Sequence, residues 1–246
     1  MKNFKKLYFF TCVLFLFLGS VLTTHAADRQ FTKKTVVLKE GQTKTLTLRN
    51  SYTTPEIMYH DPETSVFSYE VLSQSKIKVT AVRAGIDDIY VSNGNTNISC
   101  HLVVMPSKNP DLKLKTTKKG TSVSYQDILL TLPKVWKKYG YVILTNDDSI
   151  SFHTKSSYRT GWYGRVFSVE WCSIKEYEKR KTYLPNYSFL KRNGNTVYYL
   201  TLPTDVQFNT ESKKCARHYQ AFDKTVGSIK KSFKVKPKTC KLPAAP

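Results

Sequence analysis

The densest chemistry in the chain lies in one short segment, Tyr158, Arg159, Trp162, Tyr163 and Arg165. Aromatic faces stack on sugar rings or bases, and arginine grips a carboxylate or phosphate through two parallel N–H bonds. The segment falls between two alternating stretches, where loops on a rigid scaffold carry binding residues. These five form the candidate ligand-binding set and are expected to be exposed. The plainer reading has Trp162 capping a sheet and the arginines solvated. A second chemistry is a Cys172 nucleophile with His153 or His218 as base. Cys172 has no local nucleophile signature, and the Lys and Arg around His218 disfavour an imidazolium. A carboxylate pair for glycoside hydrolysis would have to come from Asp147, Asp148, Glu170 and Asp205, of which Asp147 and Asp148 suit a turn and Glu170 an outward strand position. No catalytic residue is assigned. There is no His-Glu-x-x-His, no Cys-x-x-Cys and no EF-hand loop, and Gly161 to Gly164 lacks the strand-then-helix setting of a phosphate loop, so no metal or cofactor is expected.

The elements that must position these residues follow a leader. Lys2, Lys5 and Lys6 precede an apolar run from Leu7 to Leu22, and Thr24-His25-Ala26 supplies small residues for cleavage, so residues 1–26 read as a signal peptide. The run is short for a membrane span. Cys12 lacks the flanking residues of a lipid-modified cysteine, and the terminal LPAAP has no apolar tail after it, so neither a lipoprotein nor a sorted wall anchor is expected.

Charge divides the remainder. Residues 27–106 hold nine Lys/Arg against eight Asp/Glu, whereas 107–246 hold 27 against ten, a net of +17. A field of that size favours anionic surroundings, although the same count also serves solubility.

Ile77, Val79 and Ala81 alternate with polar residues, Ile89 to Val91 form a second run, and Ile98, Cys100, Leu102 and Val104 a third. Asn93-Gly94 signals a tight hairpin, and Pro106 ends the series. Val79-Thr80-Ala81-Val82, Ala84-Gly85, Ile89 and Val91, with Leu38, Gly41, Leu46 and PETSVFSYEV, resemble the bacterial immunoglobulin-like group 2 domain over residues 29–106. The resemblance implies an all-β sandwich that acts as a spacer or adhesive module without chemistry. Tyr59 stands where that family often has a core tryptophan, and is expected to fill part of that volume.

Residues 107–121 read as a linker. Beyond it, Ile128, Leu130 and Leu132 alternate, as do Ile150, Phe152 and Thr154, and then Phe167, Val169 and Trp171. Asn193-Gly194 signals another hairpin. Cys215, Tyr219, Phe222, Val226, Ile229 and Phe233 recur at spacings of four and three, which predicts one long amphipathic helix. The expectation for 122–235 is a basic α+β domain, an antiparallel sheet with a terminal helix packed on it, followed by a tail, 236–246. LPKVW and the helix ending in Ser232-Phe233-Lys234 resemble a PsbP-like domain. SFHTKSSYRTGWYGRVFSV and YLTLPTDVQFN are similar to an uncharacterised domain of secreted Gram-positive proteins. Those resemblances imply a fold and no activity.

The helix stripe leaves Lys213, Arg217, Lys224 and Lys231 on the opposite side as a candidate basic ridge. Of the four cysteines after the leader, Cys100 alternates with core residues and is expected as a buried free thiol. Cys215–Cys240 is the favoured disulfide, slightly ahead of Cys172–Cys215. The whole reads as a secreted, non-catalytic surface or wall-associated protein. Its expected partner is anionic cell-wall polymer or polysaccharide, or a host or neighbouring surface protein, with no specific nucleic acid. The alternatives are a secreted hydrolase using the Tyr158–Arg165 loop and a cationic binder of nucleic acid or membrane surface.

Overall fold

A computed structural model describes residues 28–93, 96–184 and 186–236. The leader, the tail beyond Lys236 and the tip of the Asn93-Gly94 hairpin lie outside the described residues.

Eight strands build an all-β sandwich: β1 (Gln30–Phe31), β2 (Thr35–Lys39), β3 (Thr43–Arg49), β4 (Ile57–Met58), β5 (Phe67–Ser73), β6 (Lys76–Ala81), β7 (Gly85–Asn93) and β8 (Thr96–Met105). They form two four-stranded sheets, β1-β3-β6-β5 and β2-β8-β7-β4. The opening stretch switches sheets: β1 pairs antiparallel with β3, and a few residues later β2 pairs parallel with β8. Alternation in these strands buries one side of each. Ile77, Val79, Ile89, Val91, Cys100 and Leu102 are wholly buried between the sheets. Tyr59 is not among them. It is 78% exposed, with φ +57° turning its ring outward and edge-on to Tyr90. The expected core substitution for tryptophan is therefore overturned: the left-handed backbone points the side chain away from the interior.

Nine further strands form the second body: β9 (Lys113–Thr117), β10 (Gly120–Tyr125), β11 (Ile128–Pro133), β12 (Tyr141–Asn146), β13 (Ser149–Thr154), β14 (Arg165–Ser173), β15 (Tyr187–Asn193), β16 (Thr196–Thr201) and β17 (Lys234–Val235). Their sheets run β17-β11-β10-β9 and β12-β13-β14-β16-β15. Five helices accompany them: α1 (Lys134–Tyr139), α2 (Lys155–Tyr158), α3 (Ile174–Arg180), α4 (Lys213–Asp223) and α5 (Val226–Ser232). The core centres on Trp136 of α1, which stacks on Phe222 at 4.0 Å and meets Phe152 and Phe167 edge-on. Its indole N–H donates to Thr225 Oγ1 at 2.8 Å, so the buried polar edge is satisfied.

Two expectations change here. The span taken as linker contains β9, an edge strand paired with β10 through a turn at Thr117–Gly120. Every β9 side chain is exposed, so burial imposes no alternation on it. Gly120 is required: at φ +150° a Cβ would lie 2.0 Å from the Leu132 carbonyl oxygen. The single long helix is two. Thr225 separates α4 from α5, its hydroxyl donating to the Phe222 carbonyl at 2.6 Å while accepting from Trp136. Ser212 caps α4 by accepting from the Cys215 N–H at 3.3 Å.

Candidate binding site at the junction of the two modules

The Tyr158–Arg165 segment follows directly on β13. The four-residue α2 carries Tyr158 at its end, and Gly161 and Gly164 turn the chain back into β14. Gly164 has φ +63°, and a Cβ there would lie 2.7 Å from both Ser157 Cβ and Thr154 Oγ1. A turn this tight sends side chains in opposite directions. Tyr158 is wholly buried, and its hydroxyl donates to the Val104 carbonyl of β8 at 2.9 Å. The Tyr163 hydroxyl donates to the Ile86 carbonyl of β7 at 3.0 Å. Ile86 and Val103 from the first body and Val142 and Tyr158 from the second form one small apolar cluster, with Met105 and Leu144 against it.

The segment expected to be a free loop is therefore also the joint between the two bodies. Tyr158 is corrected from an exposed residue to a buried one, because β7 and β8 present two apolar side chains and two carbonyl acceptors at this face. Burial raises the phenols of both Tyr158 and Tyr163, so each stays a hydrogen-bond donor. The other three candidates face elsewhere. Trp162 and Arg159 are exposed, and half-buried Arg165 offers its carbonyl to the Tyr219 hydroxyl at 3.0 Å. The structure thus brings two of the five to the joint and leaves two in solvent.

The histidines do not serve Cys172. His153 Nδ1 lies 2.9 Å from the Tyr163 carbonyl oxygen, which requires Nδ1–H. Its Nε2 is then an acceptor and accepts a hydrogen bond from the Ser151 hydroxyl at 2.8 Å. Burial, with Arg165 adding to it, holds this imidazole down to about 4, neutral under ordinary conditions. His218 stacks on Tyr139 at 4.2 Å and bonds Ser156 through Nδ1 at 3.1 Å. Its pKa is lowered by burial first and then by Arg217 and Lys214. The half-buried Cys172 thiol is pushed up by burial, away from the reactive thiolate.

Cys100, Cys172 and Cys215 are all free thiols, which removes Cys172–Cys215. Cys240, the favoured partner of Cys215, lies outside the described residues. Cys100 is wholly buried and its thiol is pushed up to about 12 by burial. The acidic candidates are held locally. Asp147 and Asp148 are exposed in the β12–β13 turn. Glu170 accepts from Thr201 Oγ1 at 2.7 Å, and Asp205 from Gln207 at 2.6 Å.

A cavity of about 730 Å³ opens beside the joint, walled by both bodies and by the connector between them. Sequence reasoning missed Ser151, which lines it. The signal was present in Ser149-Ile150-Ser151-Phe152-His153: alternation that buries Ile150 and Phe152 must also turn Ser151 and His153 to the other sheet face.

No protein-family model matches the chain, and no curated protein matches it. Solved structures similar to it include the S-layer protein rSbsC(31-844), at 16% identity and a TM-score of 0.28, covering 71% of this chain and 21% of that one. Domains 5-6 of the S-layer protein SbsC are similar at 15% identity and a TM-score of 0.26, covering 70% of this chain and 82% of theirs. A marsupial T cell receptor is similar at 9% identity and a TM-score of 0.22, covering 70% of this chain and 83% of that one. The chain thus spans about a fifth of the first of these. At such scores the likenesses carry no argument.

Proposed function

We propose that the chain is a secreted, non-catalytic, cell-surface or wall-associated protein. An immunoglobulin-like spacer or adhesion module holds out a cationic α+β module that binds anionic polymer or polysaccharide. The observation behind this reading is that the excess positive charge is unpaired. Among the described residues of the second body, ion pairs form only at Arg180–Glu176 and Lys181–Glu178. Lys213, Arg217, Lys224 and Lys231 are all exposed, the first two in α4, Lys224 at its C-terminal cap and Lys231 in α5. Unpaired surface cations raise the local concentration of a polyanion and lose that effect as salt screens them. Among the described residues no helix is long and apolar enough to cross a membrane.

The test is retention of the purified chain, without its leader, on immobilised anionic wall polymer across a salt series. Retention should fall steadily with salt and fall further when all four cations are changed to Gln. Retention that ignores both salt and the fourfold variant would contradict the reading. Trp162→Ala should weaken retention while leaving the melting temperature unchanged.

A second reading, hydrolysis at the Tyr158–Arg165 loop, has one observation behind it. The Tyr163 carbonyl holds a neutral His153 as acceptor for the hydroxyl of Ser151 at a cavity wall. A fluorophosphonate adduct on Ser151 would favour it, and an unlabelled, polymer-binding protein would exclude a reactive serine there.

A further inference from the structure

We propose that the cavity at the joint is a subsite for one sugar unit bearing an anionic group. The inference rests on the polymer-binding reading above and names where a single unit of such a polymer is read. Cavities of this kind at a boundary between two bodies are common ligand sites, and about 730 Å³ accommodates a sugar with its substituent.

The charges in the wall are divided by what already holds them. Glu40 accepts from the Ala84 N–H at 2.7 Å and the Ser107 N–H at 3.0 Å. Asp87 accepts from the Ser65 hydroxyl at 2.6 Å and the Asp88 N–H at 2.8 Å. Both carboxylates are thus occupied in fastening the connector and the end of the sandwich. The two cations at the same wall, Arg83 and Lys108, are exposed and have no acidic partner among the described residues. Glu40 and Asp87 keep their charge, so the lining is balanced overall, but their oxygens are already bound whereas the Arg83 and Lys108 donors are free. A guanidinium meets a carboxylate or phosphate with two bonds.

The second body contributes neutral hydrogen-bonding groups. Asn109 of the connector donates to Thr145 Oγ1 at 2.8 Å, which leaves the Thr145 hydroxyl proton to be donated. Ser151 donates to His153 and so faces the cavity as an acceptor, with both oxygen lone pairs free. Leu144 and Pro106 add apolar surface beside them. A hydroxyl donor, a hydroxyl acceptor, apolar surface and a cation suit a ring carrying hydroxyls and one negative charge. A purely ionic chain would leave the hydroxyls idle, and a neutral sugar would leave Arg83 and Lys108 unmet. The site is composite: Arg83 comes from one body, Ser151 and Thr145 from the other, and Lys108 from the connector. It exists only while Tyr158 and Tyr163 hold the joint closed.

Two sources share this chemistry, a sugar carboxylate and a sugar or polyol phosphate, and two probes separate them. Amide shifts of the chain without its leader would be followed by NMR against a glucuronate–N-acetylglucosamine disaccharide and against a glycerol phosphate trimer. Saturable shifts at Arg83, Lys108, Thr145 and Ser151 with one probe identify the source. Arg83→Gln should then weaken that binding about tenfold, the size of one charge-assisted hydrogen bond. Lys76→Gln, an equal loss of charge on the distant β6, should leave it unchanged. Shifts confined to the exposed lysines of α4 and α5, or equal weakening by Arg83→Gln and Lys76→Gln, would overturn the subsite while leaving polymer binding standing. A chain that neither shifts with the probes nor is retained on polymer would overturn both.

Discussion

Trp136 and Tyr158 are both wholly buried aromatic residues in short helices of the second body, and they do different work. Trp136 is surrounded by its own body: Phe152, Phe167 and Phe222 pack on it, and Thr225 takes its N–H. Tyr158 reaches out of its body, and its ring and hydroxyl find Ile86, Val103 and the Val104 carbonyl across the boundary. Burial alone does not distinguish a residue that holds one body together from a residue that fastens two. The hydrogen-bond partner does, since it names the element to which the side chain is tied.

This contrast is sharpest at Trp136. Trp136→Ala should cost about 3–5 kcal/mol, because the loss of a wholly buried indole leaves a cavity that its ring neighbours only partly fill. Separate reporters on the two bodies in thermal unfolding should show the loss in the second body. A loss of less than about 1 kcal/mol would mean that α1 is not the centre of that core.

The next effect is in pH. His153 is held down to about 4, against an ordinary value of 6.5, mainly by burial. The unfolded chain takes up a proton as pH falls through 6.5, and the folded chain does so only near 4. Its contribution is therefore fully present above 6.5 and is lost on acidification through that window. The loss approaches about 3 kcal/mol, since each tenfold change in proton affinity is worth roughly 1.4 kcal/mol. Because His153 leans on the Tyr163 carbonyl, this acid sensitivity should belong to the joint and the second body. His153→Asn should flatten the stability profile between pH 6.5 and 4. An unchanged slope would move the acid-sensitive group elsewhere.

The smallest effect separates the two aromatics by chemistry. Tyr158→Phe keeps the ring in the joint and removes only the bond to Val104, so about 1 kcal/mol should be lost from the coupling between bodies. Neither body's own melting should move. A drop in the second body's stability as large as that of Trp136→Ala would make Tyr158 an ordinary core residue.

Much of the fold was legible because half-buried strands write their burial into the sequence. Ile77 to Ala81, Ile98 to Val104 and Phe167 to Trp171 alternate for that reason and lie in β6, β8 and β14. The spacing of Cys215, Phe222 and Ile229 correctly marked the buried stripe, yet it continues in phase across the break at Thr225, so periodicity could not reveal that α4 and α5 are separate. The edge strand β9 was illegible because nothing buries it. The joint was hidden for a different reason. Tyr158 and Tyr163 bond to backbone carbonyls 54 and 77 residues away, and a backbone acceptor leaves no mark in a side-chain pattern. Their aromatic–arginine composition suggested exposure, which among the five holds for Arg159, Trp162 and, in part of its ring, Tyr163.

Backbone 15N relaxation tests most directly whether the Tyr158–Tyr163 segment fastens the two bodies into one. Residues 30–105 and 113–235 should report the same rotational correlation time, that of a single particle of the full mass. In the double variant Tyr158→Ala, Tyr163→Ala the two sets should separate toward shorter, unequal values while each body keeps its own dispersed spectrum. Unequal, short correlation times already present in the unaltered protein would contradict the fastening.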